Sequence, residues 1–268
     1  MKNVILSVLV VCGFGFISAQ EEEKRDTIRI KTMNREITIK IDDDGSSQLE
    51  VKRRRNSYSN LNFWQGLDFG VNGYFMDDDF GINNDPNNIH MELNYGRSFI
   101  LNLNFAEYHT GLIGEKFRVT TGLGLRFNRY AFKNRNTTLK FNDTEVFPVV
   151  DSINSFDKNF MNITYLSAPL FFTLVPGKNP HNSIRISAGA VLNYRIGSRI
   201  KQRYEINGQK VRERNRGHYH INPFLLDAGV RIGFSDFSVF ANYGLNYLFE
   251  RNKGPQYTPF SLGLSWTL

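Results

Sequence analysis

From residue 63 to the end of the chain, apolar side chains fall on every second position in about eight separate stretches. The last stretch is the clearest. Phe260, Leu262, Leu264, Trp266 and Leu268 alternate with Ser261, Gly263, Ser265 and Thr267. A strand points successive side chains to opposite faces, so one face here is continuous hydrocarbon and the other small and polar. Residues 63–73 set Leu67, Phe69 and Val71 against Asp68, Gly70 and Asn72. In residues 91–106, Phe99, Leu101, Leu103 and Phe105 oppose Asn102 and Asn104, and in 117–132 Val119, Leu123, Leu125 and Phe127 oppose Arg118, Thr120 and Arg126. Residues 183–196, 224–234 and 237–249 repeat the pattern, with Arg185, Arg195, Asp227 and Arg231 on the polar side. Residues 162–175 are less clean. Phe171 interrupts their polar face, and Pro169 requires a bulge or a missing ladder bond.

The polar face decides which way the sheet points. In a water-soluble sandwich it would meet solvent and carry mostly Lys and Glu. Here it carries Gly, Asn, Ser and Thr, with isolated Asp68, Arg118, Arg126, Arg185, Arg195, Asp227 and Arg231. Small residues and a few opposite charges suit an enclosed, hydrogen-bonded lumen, and an eight-stranded ring is just narrow enough for side chains to fill it. The expected fold is all-β: an eight-stranded antiparallel up-and-down transmembrane β-barrel with the hydrocarbon face outward. A plugged lumen follows, with the arginines cross-linked to Asp68 and Asp227.

Connector lengths agree. Residues 74–90, 133–161, 197–223 and 250–256 alternate with the connectors 107–116, 176–182 and 235–236. Membrane barrels alternate long outer loops with short inner turns; three of the four outer connectors exceed every inner one, and the last, 250–256, is short. By simple parity Arg97 and Arg129 lie on the apolar face near the outer ends of their strands, where a lipopolysaccharide phosphate is a natural partner.

The opening residues set the compartment. Met1 to Gln20 hold a lysine, an apolar run from Val4 to Ile17 and a small or polar exit at Ser18-Ala19-Gln20. That is the layout of a secretory signal peptide, expected as residues 1–19. Cys12, the chain's one cysteine, lies inside it, so no disulfide is expected in the remainder. Residues 20–60 read as a polar periplasmic segment, with short alternating runs at 27–32 and 36–41 suited to a hairpin and a basic run, Lys52-Arg53-Arg54-Arg55. Residues 61–268 are the barrel. The expected location is the outer membrane of a Gram-negative cell.

Composition fits. Aromatics make up 14% of the chain, with 23 Phe, 12 Tyr and 22 Gly, and the formal charge is +7. Past the signal, no apolar run reaches the roughly 18 residues of a membrane helix. The positive charge brings no nucleic-acid motif with it.

The segments FWQGLDFGVNGY (63–74), TTGLGLRFNRYAF (120–132), ITYLSAPLFF (163–172) and the closing strand resemble the outer-membrane β-barrel family of Bacteroidetes, which includes porin-family and PorT-like proteins. Ser167 and Ala168 stand where that family usually has Glu and Ile, and Leu268 where an aromatic is usual. The resemblance implies an eight-stranded outer-membrane protein and no particular ligand.

Candidate chemistry is sparse. The first outer loop clusters Asp77, Asp78, Asp79 and Asp85 without the spacing of an EF-hand. The third is basic, with Arg199, Lys201, Arg203, Lys210, Arg212, Arg214 and Arg216 against Glu205 and Glu213, and suits surface polysaccharide or lipopolysaccharide phosphates. His90, His109, His181, His218 and His220 all fall in connectors or at strand ends, and none has a serine partner placed for nucleophilic catalysis. The sequence therefore points to a non-enzymatic barrel without a cofactor, structural or surface-interacting through its loops. Its partners would be outer-membrane lipid, lipopolysaccharide, the barrel-assembly machinery and a surface polysaccharide or protein. A secretion component or small pore is the alternative, and a lipid-modifying enzyme is the less favoured one.

Overall fold

The computed structural model describes three strands within residues 27–53 and, beyond them, residues 62–267 apart from 77–90, 114–115, 153–154, 178–182 and 207. The expected signal peptide with Cys12, the acidic first outer loop, His90, His181, Arg54, Arg55 and Leu268 lie outside the described residues. The chain divides into two compact units, residues 1–60 and 61–268.

In the first unit β1 (Thr27–Lys31), β2 (Arg35–Ile41) and β3 (Ser47–Arg53) form an antiparallel sheet in that order. The expected hairpin thus gains a third strand, and Lys52 and Arg53 belong to β3 rather than to a linker.

In the second unit eight strands close a ring. They are β4 (Gly66–Met76), β5 (Phe99–Ile113), β6 (Phe117–Ala131), β9 (Phe156–Leu174), β10 (Ile184–Ile206), β12 (Phe224–Phe234), β13 (Phe237–Gly244) and β14 (Tyr257–Thr267). Each pairs antiparallel with the next, and β14 pairs with β4 from Tyr257↔Met76 to Thr267↔Gly66, which closes the barrel. Closure removes the open edges that a flat sheet would expose. The fold is an all-β, eight-stranded, up-and-down antiparallel barrel.

The outer wall is hydrocarbon. Phe69, Leu170, Ile232, Phe237, Leu264 and Trp266 are each at least half exposed. Asp68, Asn72, Asn102, Arg126, Asn193, Asp227 and Arg231 are buried inside. Pro169 has the missing bond that its ring imposes: ladder pairs between β6 and β9 lapse between Thr121↔Leu170 and Gly124↔Ser167, and the Thr121 hydroxyl donates to the Pro169 carbonyl at 2.8 Å instead.

At the lower end, where β4 starts and β14 finishes, connectors are tight. The β12–β13 turn is Ser235-Asp236, with Ser235 at φ +52° and the Asp236 carbonyl accepting from the Thr267 amide at 2.8 Å. The expected connector 107–116 is mostly strand, because β5 continues to Ile113 past a bulge between Asn104 and Ala106. At the upper end two expected loops are strands. Residues 133–161 contain a hairpin, β7 (Thr137–Phe141) with β8 (Val146–Val150), and the start of β9. Residues 197–223 hold the prolongation of β10 and its partner β11 (Gln209–Arg216). The seventh barrel strand stops at Gly244, not at residue 249, and Leu248 and Phe249 turn into the interior.

Candidate functional site: the filled lumen and the upper rim

The lumen is layered. In its middle, Arg231 of β12 reaches Asp68 of β4 with both terminal nitrogens, at 3.2 and 2.5 Å. Asn102 and Asn104 of β5 donate to the same carboxylate at 2.9 and 3.1 Å, and Arg231 also donates to Ser265 at 3.0 Å. A second pair joins Arg126 of β6 to Asp227 of β12. Asn193 donates to Asp227 at 3.0 Å and accepts from the Ser167 hydroxyl at 2.6 Å. Taking two charges from water costs several kcal/mol per ion, about what good pairing and further hydrogen bonds return. Both pairs receive that support. Asp68, Arg126, Asp227 and Arg231 are thus brought together as two cross-barrel pairs.

Arg118 and Arg185 stand lower and join neither pair. Their guanidinium groups lie over the Phe63 ring, at 5.7 and 5.8 Å, and Arg185 also donates to the Ser235 carbonyl. Phe63 and Trp64, just before β4, enter the barrel mouth. Trp64 packs against Phe171 at 5.8 Å, and the Arg231 guanidinium lies 4.5 Å above its ring. Phe171, which broke the polar face in the sequence, is therefore the inward partner of this plug. Gly229 makes room for it: a Cβ there would sit 2.9 Å from the Phe171 ring.

Glu107 holds the plug. Its carboxylate accepts the backbone amides of Phe63 (2.9 Å), Trp64 (2.7 Å) and Gln65 (2.7 Å), and His109 Nδ1 lies 2.8 Å away. Simple alternation from Asn104 puts Glu107 on the outer wall. The bulge after Asn104 turns it inward. A carboxylate amid apolar wall residues was the signal in the sequence that parity had slipped.

The upper lumen is apolar and aromatic rather than polar. Tyr74 stacks on Tyr257 at 4.6 Å and donates to the Met91 carbonyl at 2.6 Å, and it shares one buried cluster with Tyr130, Met161, Ile163, Ile200 and Leu225. The β7–β8 hairpin is tied down by the Val146 amide donating to the Lys253 carbonyl at 2.8 Å, and His220 Nε2 lies 2.7 Å from the Asn142 carbonyl. Arg195 does not belong to the lumen network. It sits half-buried at the upper rim and donates to the His218 carbonyl at 2.9 Å and to Ser198 at 3.2 Å. His218 and His220 touch edge to face at 4.8 Å, and among the described residues no three His, Cys, Asp or Glu side chains gather for a metal.

Outside, Arg97 ends a short 3₁₀ turn (Tyr95–Arg97) and is exposed. Arg129 projects from the wall with its guanidinium 3.5 Å from the Phe160 ring centre and 5.2 Å from that of Phe99. Along the closing strand Leu262, Leu264 and Trp266 are exposed and Phe260 is half-buried.

No family model and no curated protein matches this chain. Two solved structures of Ail, the attachment invasion locus protein of Yersinia pestis, are similar to it. One, in complex with the heparin analogue sucrose octasulfate, is 14% identical over 75% of this chain and 94% of that one, with a TM-score of 0.30. The other is 13% identical over 75% and 98%, with a TM-score of 0.29. Values this low say nothing of what the present chain binds.

Proposed function

We propose that this chain is an outer-membrane β-barrel with a side-chain-filled lumen, acting through its outer surface rather than by catalysis or conduction. The observation that carries this is the inversion of the wall: exposed hydrocarbon outside, buried ion pairs inside. Only a closed barrel or a helix satisfies every backbone group within lipid. The strands β4, β12 and β14 are each 11 residues long, against the roughly 9–11 a tilted strand needs to cross. The tight-turned lower end of the barrel then faces the periplasm, and the strand extensions project from the cell.

Cell fractionation and gel mobility test the reading. The protein should pellet with the outer membrane, resist extraction by alkaline carbonate, and run faster unheated than boiled in dodecyl sulfate. Monodisperse protein in detergent-free buffer, or recovery in the soluble periplasm, would refute it.

A further inference from the structure

Outward side chains on three adjacent strands change character at one level. On β9 the apolar series Leu174, Phe172, Leu170 and Leu166 gives way to Thr164, Asn162, Phe160 and Lys158. On β6 the change falls at Arg129. On β10 it falls just after a bulge between Arg195 and Gly197. The bulge determines the result. Without it Ile200 would face outward and Arg199 and Lys201 inward; with it, Ile200 is buried and the cations stand on the outer wall. Register then aligns them in rows. Arg129 pairs with Asn162, Asn162 with Arg199, and Arg199 with Arg216. One step higher Phe160 pairs with Lys201, and Lys201 with Arg214. Above that, Lys158, Arg203 and Arg212 align.

Little among the described residues neutralises this ladder. Among the described residues Asp157 is the carboxylate paired into it, 3.4 Å from Arg203. Glu213 turns inward to the Tyr204 hydroxyl. Partial burial, and then the charges of Arg199, Arg214 and Arg129, hold Lys201 below the usual lysine range. Two clefts of about 270 Å³ open along the rows, one lined by Lys158, Phe160, Lys201, Arg212 and Arg214 with Glu213 as its one carboxylate, the other by Asn162, Thr164, Arg199 and Arg216. Both sit directly above the hydrocarbon belt.

We infer that this face is a binding site for lipopolysaccharide, with its lipid A phosphates held by Arg129, Arg199, Lys201 and Arg214 while its acyl chains lie on the wall below. The inference rests on the proposed membrane placement, which supplies the occupant: the outer leaflet carries phosphorylated glycolipid at the height where wall turns basic. Arginine suits it through forked donation to phosphate oxygens. A free phosphate would meet the charges but not the adjoining apolar wall.

The test uses full-length protein folded in detergent micelles, with native mass spectrometry titrating bisphosphoryl lipid A, dephosphorylated lipid A, phosphatidylglycerol and inorganic phosphate. The triple variant Arg199→Gln, Lys201→Gln, Arg214→Gln is compared with Lys116→Gln, Lys140→Gln, Arg251→Gln, which removes equal charge elsewhere. Bisphosphoryl lipid A should bind the wild type and the control alike and the triple variant at least tenfold more weakly. The dephosphorylated form should lose as much on the wild type. Equal loss in both triple variants, equal binding of dephosphorylated lipid A, or equal binding of phosphatidylglycerol or inorganic phosphate would overturn the inference. Heat-modifiable mobility is read on the same samples. Folded barrel without phosphate-dependent binding defeats this inference alone, whereas loss of the folded band in the wild type defeats the membrane reading beneath it.

Discussion

Arg231 is the residue on which the lumen converges. It is bonded to Asp68 and Ser265 and lies between the rings of Trp64, Phe171 and Phe240. Breaking a buried pair by removing one partner strands the other charge and costs about 3–5 kcal/mol, whereas removing both is often nearly neutral. Arg231→Met and Asp68→Asn should therefore each lower the unfolding free energy, read from urea titration of protein folded into lipid vesicles, by that amount, and the double variant by clearly less than their sum. Additive losses would show that the two groups do not act as a pair. Arg195 gives the contrast. It sits half-buried at the rim and bonds a carbonyl and a hydroxyl, so Arg195→Ala should change the unfolding free energy by no more than about 1 kcal/mol.

At the scale of elements, the plug segment and its clamp are separable from the ring. Glu107 is the shared acceptor for three successive amides, and Gly66 lets the chain leave the plug for β4. It sits at φ +146°, where a Cβ would lie 2.0 Å from the Trp266 carbonyl oxygen. Leaving a buried donor unpaired costs about 1–3 kcal/mol. Glu107→Ala should release residues 62–65 to limited proteolysis from the lower face while keeping the heat-modifiable band, and Glu107→Gln should be intermediate. Unchanged protease resistance in the alanine variant would remove Glu107 from this role. The same elements show what the sequence could and could not reveal. Eight strands, their outward faces and the inward Asp and Arg positions follow from period-two alternation, because one face is apolar throughout. Alternation fails at bulges, since one extra residue reverses every later side chain. The slips after Asn104 and Arg195 hid Glu107 from the lumen and left Arg199 and Lys201 as loop residues. The upper extensions lack the contrast: β11 reads QKVRERNR, with Val211 its one apolar residue.

At the scale of the whole molecule, three stacked layers close one narrow ring. Phe63 and Trp64 with Phe171 fill the lower mouth, the two ion pairs cross the middle, and the tyrosines with Met161, Ile163 and Leu225 fill the top. Eight strands leave an interior about the size of the side chains that line it, so each layer seals by itself. Redundancy makes a sharper prediction than closure alone. Wild-type protein in planar bilayers should show no stable open steps, and neither should Trp64→Ala, because Asp68–Arg231 and Arg126–Asp227 still cross the lumen above the vacated space. Glu107→Ala, which frees the plug, should likewise remain closed although its lower mouth is exposed to protease. Stable steps in the wild type would make the barrel a pore. Steps appearing only in Trp64→Ala would make the plug its gate, and the ion-pair layer would then have to be permeable in spite of its hydrogen bonds.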